Sequence, residues 1–228
     1  MIEFVFLDLD DTIFDFSACE RIAISRTLSS MDIEPTDSVC SLYSEINDLH
    51  WKRLERGELT RDQVKLQRFE CLFRELGVSA DAEHARRLYE VDLSRVYAFK
   101  EGAIELLKVL QEKYRLFVVS NGITVVQNGR ISASGIAGFF EDIFLSEAVG
   151  YVKPQKEFFD VCFSRIKDFD PSKSVIVGDS LTSDIQGGRN AGILTCWFNP
   201  KWKATDGTVI PDVEFRTLAE LPALLERL

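Results

Sequence analysis

The sequence predicts an α/β fold: a doubly wound parallel sheet with an all-helical block inserted near its start. Three observations predict it. Short apolar runs of strand length, led by Phe4–Leu7 and Val175–Val177, end abruptly in polar residues. From Gly102 onward, strand-like and helix-like stretches alternate, the pattern of parallel strands joined by crossover helices. Between these regions, residues 17–97 show helical spacing and no convincing strand.

The elements follow in order. The N-terminal strand runs into Asp8-Leu9-Asp10-Asp11-Thr12. Ser17 with Glu20 three residues on reads as a capping box opening a first helix. Thr36 caps a second helix, which Gly57 ends, and Thr60 opens a third, which Gly77 stops. Asp81 to Tyr97 makes a fourth. Ala103–Lys113 is an amphipathic helix, and 115–122 a β-branched strand ending in Ser120-Asn121-Gly122. Helices over 125–134, 154–167 and 182–191 then alternate with strands over 142–146, 174–179 and 193–198. A last short strand at Val213–Phe215 precedes a closing helix from Leu218. This divides the chain into a core of residues 1–16 and 98–228 and a helical cap of residues 17–97. The crossings Phe14–Ser17 and Ala98–Gly102 are the candidate hinges.

Composition narrows the function. The 228 residues are 46% hydrophobic and carry a formal net charge of −10. An acidic surface repels polyanions, which argues against nucleic-acid polymers as partners. The five cysteines are odd in number and form no Cys-x-x-Cys, as in a reduced, cytoplasmic protein. The two histidines lack metal-ligand spacing. No apolar stretch reaches membrane-spanning length, and the first residues do not read as a signal peptide.

In a parallel sheet all strands end on one edge, and ligands sit there. Asp8 and Asp10, Ser120 and Asn121, and Asp179 with Asp184 all follow strands, and Lys153 precedes a helix. These groups are distant in sequence and should converge. A period of two in an extended strand would turn Asp8 and Asp10 to one side.

Four segments, Asp8-Leu9-Asp10-Asp11-Thr12, Ser120, Lys153-Pro154 and Gly178-Asp179-Ser180-Leu181-Thr182-Ser183-Asp184, resemble, in order, the four motifs of the haloacid dehalogenase superfamily of phosphohydrolases. The helical block resembles that family's cap. The resemblance implies that Asp8 attacks phosphorus to form an aspartyl-phosphate, and that Asp10 acts as general acid and base. It implies that Ser120 and the backbone of Asn121 hold phosphoryl oxygens, and that Lys153 supplies positive charge. Asp8, the Asp10 carbonyl and Asp179 would bind Mg²⁺, with Asp184 in the outer shell. Asp10 favours phosphoryl transfer, because dehalogenases of the superfamily lack that second carboxylate. Electrostatics supports the metal. Two carboxylates about 4 Å apart repel by roughly 4 kcal/mol at an effective dielectric near 20, and one lysine is too few for several of them.

Asp8 to Phe16 and the Thr195-Cys196-Trp197-Phe198-Asn199 stretch resemble the pyrimidine 5′-nucleotidase branch. A nucleoside monophosphate is therefore the expected substrate, with Phe14, Phe16 and Trp197 available either to stack on a base or to pack between cap and core. Phosphoglycolate or a sugar phosphate is the alternative substrate, and a phosphomutase the alternative enzyme. A non-catalytic phosphoacceptor module is the alternative of a different class. Nothing in the sequence sets the oligomeric state.

Overall fold

The computed structural model describes residues 1–205 and 207–228. Among the described residues, six strands form one sheet: β1 (Phe4–Leu7), β2 (Arg115–Ser120), β3 (Asp142–Leu145), β4 (Ser174–Gly178), β5 (Leu194–Phe198) and β6 (Val213–Phe215). Their order is β3-β2-β1-β4-β5-β6, and every pairing is parallel. This is a doubly wound topology whose order reverses beside β1, so the ends of β1 and β4 flank the switch point.

Alternation along β1 explains how the sheet is covered. Val5 and Leu7 join one core with Leu106, Leu107 and Leu110 of α5 (Ala103–Gln111). Phe4 and Phe6 join the opposite core with Phe158 and Phe159 of a helix over Lys156–Ser164. A strand buried on both faces reads as a continuous apolar run, and all four residues of β1 are buried.

Between β1 and α5 lie four helices: α1 (Phe16–Ser29), α2 (Asp37–Glu55), α3 (Arg61–Leu76) and α4 (Ala82–Ser94). They pack around Tyr43, Phe69, Leu72 and Tyr89 in a second core, which Ile123 and Val126 also join. Thr36 and Thr60 cap α2 and α3, the latter through a full capping box with Gln63, and Gly77 closes α3 in the left-handed conformation. The expected cap of α1 differs. Asp15 accepts from the Ala18 amide, and Glu20 turns inward to accept from Asn47 Nδ2 at 2.8 Å. An earlier helix start places Glu20 on the buried face, so it is unavailable to a capping box.

The two chain crossings pair with each other. Asp15 N–H donates to Ala98 O at 2.8 Å, and Lys100 N–H to Ile13 O at 2.9 Å. Lys100 Nζ adds ion pairs to Asp11 (2.7 Å) and Asp15 (3.3 Å). Away from this point the helical block meets the sheet-bearing part through the apolar side chains of Ile123, Val126 and Val152 and through polar contacts. Arg61 reaches Ser146, Lys65 meets Glu147 at 2.9 Å, and Thr182 Oγ1 donates to Glu55 at 2.8 Å. Among the described residues, no helix is long and apolar enough to cross a membrane.

Candidate active site

The site is built where β1, β2 and β4 end. Asp8 is the first residue beyond β1, and its amide still donates to Val177 O on β4 at 3.0 Å. The chain then turns sharply. The amides of Ile13 and Phe14 both fold back on Leu9 O, and Asp11 takes a positive φ of 60°. This turn gives the carboxylates of Asp8 and Asp10 different neighbours. Both line one cavity of about 180 Å³, but their partners differ.

Asp8 faces Lys153. Lys153 Nζ lies 2.7 Å from Asp8 Oδ1, 2.6 Å from Asp184 Oδ1 and 2.7 Å from Val119 O. Its side chain is 1% exposed. Burial opposes its charge, but Asp184 and Asp8 outweigh burial and keep the ammonium protonated. Lys153 is positioned by its own backbone: Asn121 Oδ1 accepts from Lys153 N, and Asn121 Nδ2 donates to Lys153 O, both at 2.9 Å. The side chain of Asn121 is therefore committed to that loop.

Asp184 is delivered by a π-helical turn over Leu181–Ile185, a distortion frequent at functional sites. Ser180 starts the turn: its Oγ accepts from Ser183 N at 3.2 Å, and its own amide donates to Asp184 Oδ2 at 3.1 Å. Asp179 lies beyond β4, with its carbonyl accepting from Trp197 Nε1 at 2.9 Å. Trp197 is buried and acts here as a support for that backbone.

Oxygens of Asp8, Asp179 and Asp184 all lie within 4.8 Å of one another. Burial pushes the Asp8 carboxyl well above the ordinary range; Lys153 opposes this, while Asp184, Asp179 and Asp10 reinforce it. Burial, with Asp184 and Asp11, pushes Asp179 up to about 7. Crowded carboxylates, two of them with their charged form disfavoured by burial and by their neighbours, offer oxygen donors only and fit a hard divalent cation.

Asp10 meets groups that the sequence reading did not single out. On α6 (Thr124–Ser134), Arg130 forms an ion pair with Asp10 Oδ1, and Gln127 Nε2 donates to Asp10 Oδ2 at 2.7 Å. Gln127 Nε2 also donates to Ser120 Oγ at 2.9 Å, and the Gly122 amide donates to the same oxygen at 3.1 Å. Two polar residues three apart, on the helix following Ser120, were the available signal: that spacing places both on one face.

Phe14 does not reach the cavity. It is 0% exposed, its ring stacked on Phe99 (centroids 5.5 Å apart) beneath the Arg130 guanidinium at 4.6 Å. The expectation that it contacts a substrate is corrected: the turn at Leu9 folds it inward as packing. Phe16, Trp51, Leu93, Ile123 and Val126 form the cavity's apolar wall instead.

Comparison with known proteins agrees with this geometry. The model of the haloacid dehalogenase-like hydrolases matches residues 5–198. The HAD-hydrolase YfnB of Bacillus subtilis (strain 168) is 40% identical over 218 residues, covering 96% of this chain and 93% of its own. The orthorhombic crystal structure of YfnB bound to magnesium, which reveals interdomain movement in that protein, superimposes with a TM-score of 0.94 at 39% identity, covering 98% of each chain. Pyrimidine 5′-nucleotidase PynA of Streptococcus pneumoniae is 33% identical over 226 residues, 99% of this chain and 95% of its own. Pyrimidine 5′-nucleotidase YjjG of Escherichia coli is 27% identical over 223 residues, 98% and 97% of the two chains. The motifs, the sheet order and these matches have one reading in common: the chain belongs to the haloacid dehalogenase-like hydrolase family.

Proposed function

We propose that this hydrolase is a Mg²⁺-dependent phosphomonoesterase working through an aspartyl-phosphate on Asp8, and that its substrates are nucleoside 5′-monophosphates, pyrimidine ones foremost. The observation that carries the chemistry is the buried Lys153 ammonium between Asp8 and Asp184, on a cavity shared with Ser120 and Asp179. A lysine so held lowers the cost of charging a buried carboxylate and offers positive charge to an incoming phosphate. Asp8 attacks phosphorus in line, and the ester oxygen leaves as Asp10 gives it a proton. Asp10 then takes a proton from the water that cleaves the acyl phosphate. Ser120 Oγ and the backbone of Asn121 hold phosphoryl oxygens.

Asp8, Asp179 and the Asp10 carbonyl, with Asp184 behind them, would hold Mg²⁺, which when bound would supply positive charge beside the phosphoryl group. The residues would work as two bodies: a core of 1–16 and 98–228, and a cap of 17–97 that moves about the paired crossings near Phe14 and Phe99. Two relatives named as pyrimidine 5′-nucleotidases, alike over nearly the whole chain, support the substrate class. The apolar wall of Phe16 and Trp51 suits a base.

The test is phosphate release with Mg²⁺ across purine and pyrimidine 5′-monophosphates, phosphoglycolate, sugar phosphates and an aryl phosphate, with Asp8→Asn alongside. Turnover strongest on pyrimidine nucleotides and abolished by Asp8→Asn is expected. A flat or sugar-biased profile would discard the nucleotidase assignment and keep the chemistry. No release from any ester would discard both.

A further inference from the structure

The cap end of the cavity holds a cation that nothing in the proposed chemistry uses. Arg68, on α3, lines the cavity and is 1% exposed. Its guanidinium lies over Tyr89 at 4.7 Å and Phe69 at 5.2 Å from the ring centroids. Such flanking fixes the plane of the group. Nη1 donates to Asn47 Oδ1 at 2.8 Å, and that oxygen also accepts from Trp51 Nε1 at 3.1 Å. Nε and Nη2 are buried and have no hydrogen-bond partner among the described residues. Glu20, the carboxylate that feels the charge of Arg68, is bound to Asn47 Nδ2 instead, and burial pushes its carboxyl upward. Arg68 is thus a rigid buried cation whose second donor edge is unused.

Buried donors are almost always paired in folded proteins, so two on one side chain at a cavity wall point to a ligand. Nε–H and Nη2–H lie side by side along one edge of the guanidinium plane. That edge fits a carbonyl oxygen, or a carbonyl beside a ring nitrogen. The neighbouring wall is apolar and aromatic, with Phe16, Trp51, Leu93, Ile123 and Val126. Such a wall buries the faces of a flat ring and offers little to a small, hydrated carboxylate. Cytosine, uracil and thymine share a C2 carbonyl on a flat ring, and cytosine adds an acceptor nitrogen next to it.

We propose that Arg68 is a specificity residue of this site, and that its Nε–H and Nη2–H edge binds the C2 carbonyl of a pyrimidine base seated at the cap end of the cavity. This rests on the nucleotidase reading above. Asn47 is the positioning residue, since one oxygen orients both Arg68 and Trp51.

The test compares wild type, Arg68→Met and Arg68→Lys, with Mg²⁺ present, on four substrates. These are UMP, CMP, the 5′-monophosphate of a pyrimidin-2-one riboside, and ribose 5-phosphate. Arg68→Met removes the donors at similar length, and Arg68→Lys keeps the charge without the two-donor edge, so one variant serves if the other fails to fold. Either variant is expected to lower kcat/KM by about 10- to 100-fold for all three pyrimidine esters, the scale of a lost bidentate contact. Ribose 5-phosphate turnover should stay within about twofold, the level of an unaffected phosphate end. Equal losses on all four substrates, or an unchanged ratio of UMP to ribose 5-phosphate, would overturn the assignment while leaving the nucleotidase reading intact. A wild type with no preference for UMP over ribose 5-phosphate would overturn both.

Discussion

Gln127 Nε2 lies 2.7 Å from Asp10 Oδ2 and 2.9 Å from Ser120 Oγ. Its carboxamide cannot flip without loss, because Gln127 Oε1 accepts from Arg130 Nη1 at 3.0 Å. One buried side chain thus ties the proposed acid–base to the proposed phosphate-binding hydroxyl. Gln127→Leu is expected to lower kcat by about 10²-fold, the low end of what general acid–base catalysis contributes. KM should change far less. Steady-state kinetics on the preferred monophosphate checks this, and a rise in KM alone would argue against a positioning role.

Arg130 is wholly buried and its charge is matched by Asp10. Burial works against the guanidinium, and the Asp10 charge overrides it and raises its pKa. Asp10→Asn therefore leaves a buried cation short of its partner. A loss of about 3 kcal/mol is expected from breaking a buried pair on one side. Denaturant melts of Asp10→Asn and of the double variant Asp10→Asn/Arg130→Met test it: the second change should return part of the loss.

Gly178 ends β4 directly beneath Asp184. A Cβ there would overlap the Asp184 carboxylate. That carboxylate cannot swing aside freely, since one oxygen holds Lys153 and the other accepts from the Ser180 amide. Gly178→Ala should displace Asp184 and with it Lys153. An activity loss of about 10²-fold is expected from misplacement on the ångström scale. Near-normal turnover in Gly178→Ala would show that the Asp184–Lys153 contact is not needed.

Lys65 of α3 meets Glu147, which also accepts from the Thr124 amide at 2.9 Å. Burial raises the Glu147 pKa, but the Lys65 and Thr124 hydrogen bonds outweigh it and bring it from 4.5 down to about 2. A carboxylate depressed in the folded state stabilises it fully above the unfolded value. That contribution is lost as pH falls from 4.5 through about 2. Melting temperatures of wild type and Glu147→Gln should differ near pH 6 and converge toward pH 2. Curves that stay parallel over that range would show the contact contributes nothing.

Much of this molecule was readable in the chain. Apolar runs ending in carboxylates located the strand ends, because a strand buried on both faces must be continuously apolar and must stop at water. Caps at Thr36, Thr60, Asp81 and Gly77 bounded the helices, because unpaired backbone groups at helix ends call for particular residue types. Parallel topology then required Asp8, Ser120, Lys153 and Asp179 to meet, and they line one cavity.

Other features depend on tertiary packing and have no local signature. The turn at Leu9 and Asp11 decided that Asp10 faces Arg130 and that Phe14 is packing while Phe16 lines the cavity. Glu20 looked like half of a capping box until the packing of α1 on α2 turned it toward Asn47. Arg68 carries no signal in the sequence; only the rings packed against it in the fold remove it from water, with Nε and Nη2 left without a partner among the described residues. Local residue types thus determined where strands and helices begin and end, since those limits follow from backbone hydrogen bonding. Long-range packing alone decided which polar side chain each buried charge would meet, because that depends on neighbours the chain brings in from far away.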